Sequence, residues 1–198
     1  MADNRFEVNW KDRYLCLHDK TATTPIDINY TYYTTWFSRI LAQTKPKKHV
    51  DVGSAFYSLI LKLSAFIDID FYDIRPAPFK IDGLNCIDGD ITNLNIAFDS
   101  VESISSLSVI EHIGLERYGD NFDPKGDIKA INELIRVCKK NGNIFISLPI
   151  MNKSFIQYNA HRVYTFDMIK SYFKGCTLHQ FSRLNLQNKP ISNASDIE

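Results

Sequence analysis

The sequence predicts an α/β fold in which a mostly parallel sheet carries helices on both faces. Short apolar runs at 49–53, 67–73, 103–110 and 143–148 are bounded by turn residues and alternate with segments whose apolar residues recur at helical spacing. The first two runs carry acids at their ends, Asp51 and Asp73, 22 residues apart, which is the length of a strand-helix-strand unit. Strands and helices alternating at this length pack as a parallel sheet covered on both sides.

Residues 1–28 are polar and irregular, with Pro25 and the TATT patch at 21–24, and read as an arm or lid. Tyr33, Trp36, Phe37, Ile40 and Leu41 then fall at the i, i+3, i+4, i+7, i+8 positions of a helix with one buried face, ended by Pro46 and the KPKK stretch. A first strand at 49–53, a buried helix at 56–66 and a second strand at 67–73 follow, and Pro76 and Pro78 break the chain. Residues 85–87 make a short third strand, DITNL after Gly89 a loop, and 103–110 the fourth strand. Beyond a glycine- and aspartate-rich loop, Ile128, Ile131, Leu134, Ile135 and Cys138 share one helical face. Lys139 and Lys140 suit that helix's C-terminal dipole, and Asn141-Gly142 offers a left-handed stop. Strand five at 143–148 ends at Pro149, 166–173 predicts a helix and 177–184 a further strand. The organisation is an arm at 1–28, one domain at 29–184 and a polar tail at 185–198.

The 198 residues are 44% hydrophobic and 13% aromatic, enough for a real core and against disorder. Lys plus Arg and Asp plus Glu each total 23, so no global field gathers nucleic acid or an anionic membrane, and a small polar partner is expected. No run approaches the ~20 apolar residues of a membrane helix, so a soluble, cytoplasmic protein is expected. Cys16, Cys86, Cys138 and Cys176 form no CxxC pair, which speaks against zinc and disulfides and for reduced, largely buried thiols.

At HVDVGS, residues 49–54, an acid, a glycine and a small residue follow the apolar end of a strand, a turn that lets a ligand approach the backbone. With Asp73 at the end of the next strand, this points to an adenosine-containing cofactor. HVDVGS, YDIRP around Asp73, GDITNL around Asp90 and ELIRVCKKNGNIFISLP together resemble the motif run of class I S-adenosylmethionine-dependent methyltransferases, over about residues 45–184. More narrowly, SLSVIEHIGLERYGDNFDPKGDIKA and NAHRVYTFDM are similar to an uncharacterised methyltransferase-like family associated with sugar and capsule biosynthesis.

The resemblance implies a Rossmann-like methyltransferase fold and S-adenosylmethionine as cofactor. By position, Asp51, Gly53 and Ser54 would form the cofactor turn. Asp73, with Ile74 beside it, would accept from the ribose hydroxyls. Asp90 would face the adenine amino group, with Ile91 packed against the ring. Two departures stand out. Ala55 and Tyr57 replace glycines of the family's DxGxGxG pattern, adding side chains near the cofactor. Only one strand is expected at the C-terminal end where the family has a hairpin, so either the chain is cut short or the sheet has one strand fewer, and an open edge would invite a second copy.

Glu111 and His112 lie just past strand four, where a donor would present its methyl group. A neutral imidazole suits removal of a hydroxyl proton, so His112 and His161 are candidate bases; equally, the Glu-His pair could only cap the strand. Some relatives bind a metal with a Glu three residues before such a pair; Ser108 stands there, so no metal is expected. Arg117, Tyr118 and Asp120 suit a sugar or sugar phosphate, whereas Asp127 reads as a helix cap. Asn159 and Arg162 join the acceptor set, Arg162 as a clamp for phosphate or carboxylate or as a surface ion pair. Lys45, Lys47 and Lys48 read as a solvated face. The expected activity is O-methylation of a small polar acceptor such as a sugar, sugar phosphate or glycan unit. The alternative is a non-catalytic methyltransferase-like module in polysaccharide biosynthesis, and a dehydrogenase ranks below both for want of GxGxxG.

Overall fold

The computed structural model describes residues 9–184 and 190–192. Five strands, β1 (His49–Val52), β2 (Ile69–Asp73), β3 (Leu84–Asp88), β4 (Val101–Leu107) and β5 (Cys138–Ser147), form one sheet in the order β3-β2-β1-β4-β5, parallel throughout. Helices cover both faces, as the alternation predicts. On one side α1 (Ile28–Thr44) and the helical turns ending in α2 (Leu61–Leu63) bring Phe37, Leu41, Leu59 and Ile60 against Ile69 and Phe71. On the other, α3 (Gly126–Val137) lays Ala130, Ile131, Leu134 and Val137 on Val50, Val52 and Ile104. Asp27 caps α1 by accepting from the Tyr30 amide, and Thr165 caps α4 (Phe166–Tyr172) through the Met168 amide.

Several elements differ from expectation for local reasons. Residues 56–63 begin as a π turn, Phe56–Ile60, because the Leu59 and Ile60 amides both bond the Ala55 carbonyl. Strand four stops at Leu107, and Ile110–His112 is a 3₁₀ turn. Helix α3 ends at Val137 and passes directly into β5. Asn141, at φ 62°, therefore sits inside the strand, where the pairing slips between Val101↔Cys138 and Ser103↔Asn143, and is not a helix stop. Lys140 donates its amide to Asp99 and Lys139 pairs with Glu102, so neither lysine serves the helix dipole.

A short hairpin, β6 (Phe155–Gln157) with β7 (His161–Val163), has no counterpart in the sequence reading. The strand expected at 177–184 shrinks to β8 (Ser182–Leu184), which pairs with β9 (Pro190–Ser192) apart from the main sheet. β5 is thus an edge strand. Of the expected arm, 1–8 lie outside the described residues and 10–27 are exposed; of the expected tail, 185–189 and 193–198 lie outside them. The thiols are less buried than expected: Cys16 and Cys176 are exposed, Cys86 and Cys138 half-buried, and all four are free. No helix among the described residues is long and apolar enough to cross a membrane.

Candidate active site

The strand order reverses direction between β1 and β4, the switch point outside whose carboxyl ends open α/β sheets bind their ligands. Gly53 turns the chain there at φ +75°, a conformation that favours glycine, and a Cβ on it would press on Val109 Cγ1 at 3.0 Å.

Beneath this turn lies a buried polar chain. Ser103 and Ser105 hydroxyls lie 2.8 Å from His49 Nδ1 and Nε2, and Ser105 also donates to Asp51 Oδ2. Since Ser105 gives its proton to Asp51, it accepts from His49 Nε2–H, and His49 Nδ1 accepts from Ser103. Asp51 accepts as well from the Ser54 amide at 3.0 Å and hydroxyl at 2.7 Å, and the Leu107 amide donates to Ser54 at 2.8 Å. Burial drives the His49 pKa down to about 3 and that of Asp51 up to about 6. The ring of His49 packs against Phe37 and Phe145. The Asp51 carboxylate is therefore a brace for the turn, fully buried, and is not displayed at the rim beside Asp73.

Asp73 does stand at the rim. Its Oδ1 accepts from the Arg75 amide at 2.7 Å, and Oδ2 takes no hydrogen bond among the described residues. Ile74 beside it is 40% exposed. Asp90 Oδ1 accepts from the Thr92 amide and hydroxyl, both at 2.8 Å, closing its own loop. Ile91 is only 4% exposed and belongs to the core under α3. Of the residues replacing glycines, Tyr57 is 81% exposed, and its neighbour Phe56 packs on Phe71 at 5.3 Å between ring centres.

Past β4, Ser108 Oγ donates to Glu111 Oε1 at 2.9 Å. Glu111 Oε2 is buried without a hydrogen-bond partner among the described residues, and burial raises the carboxyl pKa to about 7. His112 Nδ1 lies 2.6 Å from the Ala160 carbonyl, which also accepts from Arg117 Nη1 at 2.9 Å. A carbonyl only accepts, so Nδ1 carries the proton and Nε2 keeps its lone pair, 3.8 Å from Glu111 Oε1. Burial first, and then the Arg117 charge, lower the His112 pKa. The rings of Tyr118 and His161 meet His112 edge to face at 5.5 and 6.1 Å. Among the described residues no three or more His, Cys, Asp or Glu side chains cluster as metal ligands.

The structure thus gathers Glu111, His112, His161, Arg117 and Tyr118, and Arg75 links them to Asp73 by stacking on Tyr118 at 4.9 Å. Other residues hold the frame. Asp120 accepts from the Gly114 and Tyr118 amides, locking its own loop. Arg162, 6% exposed, donates to the Ile113 and Asp123 carbonyls and lies 3.8 Å from Asp127, so it is neither a surface pair nor open to solvent. Asp127 is no helix cap: it sits buried in the first turn of α3 and accepts from Tyr164 at 3.0 Å. Asn159 lies exposed in the β6–β7 turn. Arg75 and His49 were not singled out from sequence. The proximity of Arg75 to the Asp73 acid was the available signal for the first, and the lone histidine opening an apolar strand for the second.

The fold matches solved methyltransferases. A 1,6-didemethyltoxoflavin-N1-methyltransferase of Burkholderia thailandensis, solved with its substrate and S-adenosylhomocysteine, superposes with a TM-score of 0.55 at 9% identity, covering 82% of this chain and 85% of that one. A SAM-dependent methyltransferase of Methanosarcina mazei gives 0.54 at 12% identity, covering 77% and 92%. A candidate sarcosine dimethylglycine methyltransferase of Galdieria sulphuraria gives 0.56 at 19%, covering 77% and 63%. The chain therefore has the Rossmann-like methyltransferase fold, with a sheet of five parallel strands. No curated protein matches its sequence. The family model described as "Caenorhabditis protein of unknown function, DUF268" matches residues 88–193, more than half of the 198, and the chain belongs to that family.

Proposed function

We propose that this protein transfers the methyl group of S-adenosylmethionine to an oxygen of a small polar acceptor, a sugar, sugar phosphate or glycan unit. One observation carries the reading: His112 is held in the neutral Nδ1–H form by the Ala160 carbonyl, in a cluster that Arg75 joins to the rim carboxylate Asp73. When bound, the cofactor supplies an electrophilic methyl carbon. The glycine at 53 lets a ligand approach the turn that Asp51 and Ser54 brace, and the open Oδ2 of Asp73 suits a ribose hydroxyl, with Ile74 alongside. Asp90 keeps Oδ2 for an exocyclic amine, whereas the buried Ile91 supports that loop from within.

On the acceptor side, Nε2 of His112 takes the hydroxyl proton as the carbon–oxygen bond forms, and Glu111, 3.8 Å away, steadies the imidazolium. His161 is the second candidate base, stacked against the first. Arg117 and Tyr118 line the approach, Asp120 and Arg162 shape it from behind, and Asn159 closes its outer side. The exposed segment 10–27 acts as a lid, and the open edge of β5 supports a homodimer. Four free cysteines fit a cytoplasmic setting.

The test is transfer of labelled methyl from S-adenosylmethionine to a panel of sugars and sugar phosphates. Labelled O-methyl product is expected. Absence of any thermal shift with millimolar S-adenosylhomocysteine overturns the reading in favour of a non-catalytic scaffold.

A further inference from the structure

We infer that the acceptor carries an anionic group, a phosphate or carboxylate, seated by Arg75 and Arg117 around Tyr118. The inference deepens the proposed function and rests on it for the word acceptor, though the anion site is a property of the protein alone.

The two guanidinium carbons lie 4.9 and 5.0 Å from the same Tyr118 ring centre, so two like charges share one aromatic ring. Asp120, on the same loop, has both oxygens engaged by backbone amides and forms no ion pair with either arginine. The one carboxylate paired with Arg75 is Asp73, at 3.9 Å from Nε, a distance too long for a hydrogen bond. Arg75 makes no side-chain hydrogen bond among the described residues, and Arg117 donates through Nη1 alone, to the Ala160 carbonyl. Most of their guanidinium N–H groups are therefore free to meet a ligand with several acceptor oxygens, which is the geometry of Arg-phosphate and Arg-carboxylate pairing.

The location fits an acceptor. Tyr118 meets His112 edge to face at 5.5 Å, so an anion held at the Tyr118 ring by these guanidiniums stands one ring away from the candidate base. The loop bearing Arg117 and Tyr118 is built in advance: Gly114 turns it at φ +79°, where a Cβ would strike the Asp123 carbonyl at 2.1 Å, and Asp120 closes it. A cationic acceptor such as an amine is repelled here, which separates this site from one built for N-methylation.

The experiment is a calorimetric titration of the full chain, free and saturated with S-adenosylhomocysteine, using inorganic phosphate, glucose 1-phosphate, glucuronate and methyl glucoside. Glucose 1-phosphate should bind on the order of tenfold or more tightly than methyl glucoside, and Arg75→Gln and Arg117→Gln should each weaken it by about tenfold. Lys47→Gln, which removes a charge elsewhere, should leave it unchanged. Glucuronate binding more tightly than glucose 1-phosphate also supports the site and assigns it to carboxylates. Arg75 is exposed, so its variant should fold even if Arg117→Gln does not. Equal affinity for charged and neutral sugars, no binding of phosphate or glucose 1-phosphate, or unchanged affinity in Arg75→Gln overturns the inference. Phosphate binding without S-adenosylhomocysteine binding keeps the anion site and removes methyl transfer.

Discussion

The Nδ1 of His112 stands 2.6 Å from the carbonyl oxygen of Ala160 in the β6–β7 hairpin. That contact decides which nitrogen is free, because the proton must lie on Nδ1. It also couples the turn after β4 to a hairpin far along the chain, so the hairpin sets the geometry of the candidate base.

Replacing His112 by Ala should lower turnover by about 10²- to 10⁴-fold while leaving S-adenosylhomocysteine affinity nearly unchanged. Because burial and Arg117 lower the His112 pKa, the wild-type rate should fall on the acid side only below the ordinary imidazole value. Single-turnover kinetics across pH, with calorimetry on the variant, check both. An unchanged rate in the variant leaves His112 a mere strand cap.

His49 makes a prediction about stability. Its folded pKa of about 3 lies below the unfolded value of 6.5, so its contribution is complete above pH 6.5 and is lost as pH falls toward 3. Asp51 and Glu111 act the other way, with folded values raised to about 6 and about 7; their contribution is present at low pH and fades as pH rises through those values. His49→Gln should therefore lose less stability than the wild type between pH 6.5 and 4, by a difference of up to a few kcal/mol. Parallel pH dependences in urea titrations contradict the buried Ser-His-Ser-Asp chain.

Arg162→Ala should cost roughly 3 kcal/mol or more, since it strands the Ile113 and Asp123 carbonyls and leaves Asp127 without its cation. Arg162→Lys should recover little of this, because one ammonium cannot replace the fork. Denaturant melts measure it. A fully stable Arg162→Ala with only a raised KM would make the residue an acceptor clamp after all.

Tyr57→Gly restores the last glycine of the DxGxGxG pattern. As Tyr57 is 81% exposed, the change should alter S-adenosylhomocysteine affinity by no more than about twofold to threefold, within the few tenths of a kcal/mol usual for surface positions. A gain of tenfold or more would show the ring standing in the cofactor's way.

The frame of the site was legible because strands and helices differ in period: β1, β2 and β4 fell where apolar runs met turns, and Gly53 and Asp73 lie at the ends of β1 and β2. Side-chain direction was harder to read. Asp51 and Asp73 look alike in sequence, yet Asp51 falls at a sheet position facing Ser105 beneath α1 and works inside. Asn141-Gly142 announces a left-handed residue without saying whether it stops a helix or bulges a strand, and strand pairing with β4 made it a bulge. The β6–β7 hairpin, with strands of three residues each, is too short to carry a periodicity. The Arg75-Tyr118 stack joins loops distant in sequence, and only the folded chain brings them together.

The central claim is that Asp73 at the end of β2 grips the nucleoside of S-adenosylmethionine. Calorimetry with S-adenosylhomocysteine on the wild type and on Asp73→Ala tests it most directly. The account predicts saturable binding to the wild type and a loss of roughly tenfold or more in the variant, from a charge-assisted pair of hydrogen bonds. Equal affinity in the two proteins, or no heat from the wild type at millimolar ligand, would contradict it.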